Sequence, residues 1–223
     1  MSTRNRRSSL NPRNTRRILS SKNHLKAKEY IAKLRHLYPS CQFDQNRSEC
    51  ETEYTGHKIT YGEMEYEGIQ KLYGYVTSHL SHKINAFIDI GSGRGKLCMY
   101  MASKSPIVSV LGVELVRQRH HDALQLKTKL QSKYSEKVEF VNSDVLKVDF
   151  SKFQNNKVFV WFSNLCFDQS TTNDIFQKLS DELPKGTILC CSKQPMPVIG
   201  EHKTTITIPM SWSSNSSVYV YEL

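Results

Sequence analysis

The stretch AFIDIGSGRGKL, residues 86–97, constrains the fold more than any other part of the chain. A short apolar run enters three glycines spaced two apart, and an apolar helical pattern, KLCMYMASK, follows at once. A strand that turns through glycines into a helix opens a β-α-β unit. The chain then keeps alternating. VSVLGVEL (108–115), KVEFVNSD (137–144), KVFVWFSNL (157–165) and TILCCSK (187–193) read as strands. VRQRHHDALQLKTKLQSKY (116–134) and TTNDIFQKLSDEL (171–183) read as helices, and another helical pattern runs from Gly62 to about Leu80. This order predicts an α/β fold with a mostly parallel sheet and helices on both faces. KTTITIPM and SSVYVYEL have no helix between them, so an antiparallel pair is expected at the C-terminal end of the sheet.

Charge divides the chain. Residues 1–36 hold 11 Lys/Arg against one acid, Glu29, while the other 187 residues hold 20 basic and 20 acidic side chains. A neutral body therefore carries a basic arm. Within residues 1–38, positions 1–21 are Arg/Ser/Asn-rich and predict disorder. Residues 22–38 put Ala27, Tyr30, Ile31, Leu34, Leu37 and Tyr38 on one stripe and predict a basic amphipathic helix. Residues 39–84 read as a linker, a loop and a helix, and 85–223 as the α/β core. No run of about 18 apolar residues is present, so no membrane span is expected, and a monomer is expected. The N-terminus has no apolar signal region. Six cysteines without a CxxC pair read as thiols in a reducing compartment, with no metal site and no disulfide.

The glycine loop excludes two common ligands. A P-loop needs a glycine at 90 and a hydroxyl at 97, where the chain has Ile90 and Leu97. A dinucleotide fingerprint needs its third glycine at 96, which is Lys96. The pattern present is Asp89, Gly91, Gly93, Gly95, and it resembles that of class I S-adenosylmethionine-dependent methyltransferases, whose fold is Rossmann-like. The resemblance implies S-adenosylmethionine as cofactor and S-adenosylhomocysteine as product. Asp89 suits the charged amino group or the sulfonium. Glu114, 23 residues after Gly91, suits the ribose hydroxyls, and Asp144 at the end of the next strand suits the adenine amine. After the fourth strand, SNLCFDQS lacks the proline turn of amino-methylating nucleic-acid enzymes, which argues against a flipped base. There Asn164 offers an amide to orient an amine or the cofactor, and Phe167 offers a ring face.

Over residues 55–223 the chain resembles the non-SET histone-lysine methyltransferases named for disruptor of telomeric silencing. TYGE (60–63) resembles their cofactor-covering loop, which implies cofactor contacts from Tyr61, Gly62 and Glu63. SNLCF resembles their Asn-Asn-Phe-x-Phe motif and CSKQP their Ser-Lys-Pro segment. SWSSNSSVYVY resembles a C-terminal stretch whose aromatics, here Trp212 and Tyr219, line a lysine channel with Phe167. Lys96 stands where the family usually has glutamine or asparagine, Ser163 replaces an asparagine, and Val145 replaces a phenylalanine beside the adenine.

A lysine acceptor agrees with the chemistry. At its ordinary pKa of ~10.4, only about one free lysine in a thousand is neutral near pH 7.4. An apolar aromatic channel disfavours the ammonium. The aromatic faces tolerate a sulfonium, and Asn164, Phe167, Trp212 and Tyr219 would align amine and methyl group. The resemblance implies a lysine on the core of histone three in the nucleosome, with the arm 1–36 held on DNA. It also implies a nuclear enzyme, or a chromatin-associated one in an infected cell if the source is viral. Two further readings follow from the same residues: a class I methyltransferase acting on RNA or a non-histone protein, and an inactive module that only binds chromatin or DNA.

Overall fold

The computed structural model describes residues 12–39, 61–79, 83–130 and 132–223. Two helices, α1 (Pro12–Leu37) and α2 (Tyr66–His79), precede the first strand. The alternating region follows as β1 (Ala86–Ile90), α3 (Lys96–Ala102), β2 (Ser109–Glu114), α4 (Arg117–Lys129), β3 (Val138–Asn142), β4 (Val158–Phe162), α5 (Gln169–Glu182) and β5 (Ile188–Cys191). A hairpin of β6 (Glu201–Met210) and β7 (Ser213–Glu222) ends the chain.

The seven strands form one sheet in the order β3-β2-β1-β4-β5-β7-β6. The first five are parallel, and β7 joins β5 antiparallel, as the missing helix before β7 predicts. All five residues of β1 and all five of β4 are buried, as strands covered on both faces require. Alternate side chains serve two cores. Phe87, Phe159, Trp161, Cys190 and Val220 pack toward α1, α2 and α3, while Ile88, Val160, Phe162, Cys191 and Tyr221 pack toward α5. The strand order reverses between β1 and β4, and in open α/β sheets such a reversal opens a crevice at the carboxyl ends of the strands.

Helix α1 extends the expected amphipathic helix by ten residues, into the segment read as disordered. Pro12 opens it, and proline suits a first helical position, where its missing N–H has no partner to lose. Tyr30, Leu34 and Tyr38 are the buried contacts of its C-terminal half. Residues 1–11, Thr60, Cys41, Cys50 and the linker read over 41–57 lie outside the described residues. Cys98, Cys190 and Cys191 are buried free thiols and Cys166 is half-buried. Burial pushes Cys191 up to about 12 and Cys190 well above the ordinary range, so both stay protonated. No helix among the described residues is long and apolar enough to cross a membrane.

Asn164 belongs to this framework. It is fully buried just past β4, and its Oδ1 accepts the backbone N–H groups of Ser192 (3.0 Å) and Lys193 (2.8 Å). Its Nδ2 donates to the Lys193 carbonyl at 2.7 Å. The amide thus clamps the end of β4 to the end of β5. Asn164→Ala strands three backbone groups, and each buried unpaired group costs about 1–3 kcal/mol. We expect a fall of at least about 2 kcal/mol in unfolding free energy, read from urea denaturation. Unchanged stability with lost turnover would return Asn164 to a purely catalytic role.

Candidate cofactor cleft

The crevice at the strand ends is a cleft of about 410 Å³, partly open to solvent. Of the residues assigned from sequence, Tyr61, Gly62, Glu63, Asp89, Gly91, Gly93, Lys96 and Trp212 line it. Ser92, Trp161, Ser163 and Met210 line it as well and were not assigned. Their signal was positional: each lies at or next to a strand end or within the glycine loop.

The glycine loop fits by absence of side chains. Gly91 has φ +75°, and a Cβ built there meets no atom within 4 Å, so it would project into open space. A Cβ on Gly93 would lie 2.7 Å from the Tyr61 ring, so only glycine lets the covering segment close over the loop. Glu114, 5 % exposed, fixes that loop. It accepts the Gly93 N–H at 2.7 Å and the Val116 N–H at 2.8 Å. A ribose would have to share this carboxylate with the Gly93 N–H.

Segment 61–65 is held by the hairpin tip. Met64 pairs with Met210, Ser211 N–H donates to the Glu63 carbonyl (2.8 Å), and Ser211 Oγ accepts the Glu63 N–H (3.0 Å). This leaves the Glu63 side chain pointing into the cleft wall, 8 % exposed. Lys96 Nζ donates to its Oε2 at 2.6 Å. The phenols of Tyr38 and Tyr61 both donate to its Oε1 and stand 3.0 Å apart. Burial, then Glu63, pushes both phenols far above the ordinary tyrosine value, so they remain donors. The Lys96 ammonium also lies 5.3 Å from the Tyr66 ring centre and 5.7 Å from that of Tyr38. The unusual lysine thus has a dedicated carboxylate from the covering segment. Tyr38 was placed on the helix stripe by sequence, and its reach into the site was not foreseen.

Asp89 is the opposite case, an acid without a cation among the described residues. It is 2 % exposed, and its only described hydrogen bond comes from Cys98 Sγ at 3.5 Å. Burial pushes it up to about 7 and outweighs the lowering by Cys98, while Glu114 and Glu63 push it further the same way. Ser92 Oγ is likewise buried, and it has no hydrogen-bond partner among the described residues. A buried acid short of a cation, an orphan hydroxyl and an open cradle at Gly91 fit a ligand that brings positive charge and polar groups. S-adenosylmethionine has both. Asp89 and Glu63 would meet its ammonium and sulfonium end, and Lys96 its carboxylate. Bound there, it supplies an electrophilic methyl group.

Several assigned residues lie elsewhere. Asp144 caps a 3₁₀ turn, its Oδ1 accepting the Leu146 N–H at 3.0 Å, and it does not line the cleft. Val145 is a core residue at 7 % exposure. Phe167 and Tyr219 pack against the α5-side core, with Phe167 edge-on to Phe162 at 5.2 Å. Neither lines the cleft that Trp212 enters, so the expected Phe167–Trp212–Tyr219 channel is not assembled around it. Gly95 caps α3 and does not line the cleft.

Comparison with known proteins agrees with this geometry. A family described as "Putative methyltransferase" matches residues 83–169, which is β1 to the start of α5. No curated protein matches the chain by sequence. The putative methyltransferase yhhF from Escherichia coli superposes with a TM-score of 0.56 at 12% identity, over 71% of this chain and 86% of its own. An RNA methyltransferase from Salinibacter ruber in complex with S-adenosylhomocysteine gives 0.53 at 16% identity, over 71% and 91%. PH0226 from Pyrococcus horikoshii gives 0.52 at 15% identity, over 78% and 98%.

Two outcomes test the cleft. Glu63→Gln leaves the Lys96 ammonium buried without its carboxylate and should cost about 3–5 kcal/mol. Adding Lys96→Gln should recover most of that loss in a double-mutant cycle by chemical denaturation. For Asp89 the folded value, about 7, lies above the ordinary 3.8, so the folded state holds the extra proton. Stability of the cofactor-free protein should therefore fall as pH rises from about 4 to 7, by up to ~1.4 kcal/mol per unit. Asp89→Asn should flatten that fall. Affinity for S-adenosylhomocysteine, which carries the ammonium, should rise from pH 6 to 8 in calorimetry and lose this rise in Asp89→Asn. In fold, this chain has the Rossmann-like architecture of the methyltransferases it superposes on, and its cleft fits S-adenosylmethionine.

Proposed function

We propose that this chain is an S-adenosylmethionine-dependent methyltransferase that acts on RNA, held to the enzyme by its N-terminal helix. The observation that carries the reading is where α1 ends. Tyr38, one residue past the helix, touches Glu63 in the cleft, so a chain segment with a large excess of positive charge runs directly from the cofactor site. The body behind it is neutral in sequence and has little long-range attraction of its own for a polyanion. Lys and Arg on the arm release counterions from phosphates and so supply affinity. The name of the Salinibacter ruber neighbour supports the same substrate class.

The residues then divide the work. Asp89 and Glu63 hold positive charge at the methionine end of the cofactor, and Lys96 holds the carboxylate. Trp212, 42 % exposed and packed over Gly62, presents a ring face at the cleft mouth for an acceptor base to stack on. Alignment of acceptor and methyl group is the main source of acceleration, since a neutral sulfide leaves without help from an acid. The turn at Ser163, Asn164 and Leu165 lacks the prolines of amino-methylating nucleic-acid enzymes, which disfavours an exocyclic amine as acceptor.

The second reading is the lysine of nucleosomal histone three, favoured by the TYGE segment, whose Glu63 faces the cleft, and by Trp212 at its mouth. DNA would then occupy the arm. One assay separates them. The protein is incubated with methyl-labelled S-adenosylmethionine and, separately, structured RNA, nucleosomes and free histones. Label on RNA, lost in Gly91→Arg, is the expected result. Label confined to nucleosomes would replace RNA by the histone lysine. Cofactor binding with no label on any substrate would favour a binding module without catalysis.

A further inference from the structure

The basic arm is not the whole cationic surface. Within the neutral body, residues 117–137 hold six Lys/Arg and only two acids, Asp122 and Glu136. This is the part of the body on which the middle of α1 rests. Tyr30 stacks on Tyr134 with ring centres 5.0 Å apart. Lys133 Nζ donates to Asn23 Oδ1 at 3.2 Å, and Tyr134 OH donates to the Asn23 carbonyl at 3.3 Å. Asn23, Lys26, Tyr30 and Lys33 follow one another at spacings of three and four, so they form a single row along the helix. The two ends of the contact, Asn23 and Tyr30, fix that row against residues 133–134. Lys26 and Lys33 are exposed on the same row, Lys133 is exposed on the body against Asn23, and Lys129 is exposed four residues before it, at the end of α4.

From this juxtaposition, and resting on the RNA reading above, we infer that Lys26, Lys33, Lys129 and Lys133 form one phosphate-binding strip. It is shared between the helix and the catalytic body and receives the duplex stem of a structured RNA. Two features select a stem over a single strand. First, the strip has cations but no stacking platform: its aromatics, Tyr30 and Tyr134, are 6 % and 8 % exposed and turned onto each other. Sequence-tolerant binding of single strands relies on exposed aromatic faces. Second, the strip is straight and rigid. Its helix of 26 residues spans about 39 Å, and its C-terminal half is pinned by buried Tyr30, Leu34 and Tyr38. A rigid row of cations matches a rigid row of phosphates without an ordering cost on the protein side. Glu29 and Glu136, both exposed, are the acids nearest the strip in sequence, and they set a limit on its charge. Because α1 ends at Glu63, a stem lying along the strip directs its unpaired end to the cleft.

The test uses the full chain and a fluorescently labelled RNA hairpin, with binding followed across a salt series. Wild type should bind the hairpin more tightly than a single strand of equal length. Lys129→Gln with Lys133→Gln should weaken hairpin binding at least about tenfold near 0.1 M salt and lower the slope of log affinity against log salt by about 2. Lys26→Gln with Lys33→Gln should do the same, so the result does not hang on one pair. S-adenosylhomocysteine affinity should be unchanged in both variants, which shows that they are folded. If both variants bind the hairpin like wild type, with the same slope, the strip is wrong while the RNA reading stands. A preference of wild type for the single strand would overturn the stem. Absence of hairpin binding, with label transferred only to nucleosomes, would remove the RNA reading and the strip with it.

Discussion

One carboxylate holds the site together. Glu63 sits between an ammonium and two phenols, and those partners come from parts of the chain that share no local structure. Tyr38 arrives from the end of α1, Lys96 from the first residue of α3, and Tyr61 from the covering segment. The backbone of Glu63 is meanwhile fixed by Ser211 at the hairpin tip. Removing a buried charge from such a group leaves its partner uncompensated, and that penalty exceeds what the pair contributes while intact. The arrangement is therefore an all-or-none device. Either the helix, the covering segment, the glycine loop and the hairpin meet at Glu63, or a lysine and a glutamate are buried apart.

This also ties α1 to the cofactor. The helix has two contacts that matter, one on Tyr134 in its middle and one on Glu63 at its end. A polyanion lying on the first region acts on the same rigid rod that completes the second. Whatever favours the docked helix favours the assembled cofactor wall, and by linkage the cofactor favours the docked helix equally. The end of the basic helix is thus part of the cleft wall.

How much of this the sequence revealed depends on the distance over which each residue finds its partner. The parallel core was legible because β1 and β4 carry unbroken apolar runs and each glycine or acid at a strand end marks the next turn. The cleft was legible at Asp89, Gly91, Gly93 and Lys96, which lie within eight residues of one another. Asn164 was not. Its polar side chain past a strand end looks the same in sequence whether it meets a substrate or the backbone 28 residues on. The packing of Phe167 and Tyr219 on the α5-side core was not legible either, since an aromatic near a strand end says nothing about which sheet face it covers. The disorder expected before residue 22 came from composition alone, which cannot register the anchoring of the same helix by Tyr30 and Leu34 further along.

Lys96 can now be placed in a charge balance. Three acids, Asp89, Glu63 and Glu114, are each less than a tenth exposed around one cleft. Two have compensation: Glu114 takes two backbone N–H groups and Glu63 takes Lys96 and the phenols. Among the described residues Asp89 has a thiol alone, and burial pushes it up to about 7. A neutral amide at position 96 would leave Glu63 without its cation and press Asp89 further toward its protonated form. With a lysine there, the uncompensated charge that remains is the one Asp89 carries when it ionises. A ligand bearing one more positive than negative charge compensates it, and S-adenosylmethionine, with a sulfonium, an ammonium and a carboxylate, is such a ligand. Transfer of the methyl group removes the sulfonium charge, so the product fits the balance less well than the cofactor does. The lysine that looked out of place in the glycine loop thereby compensates Glu63 and leaves Asp89 as the acid that a cationic ligand would meet.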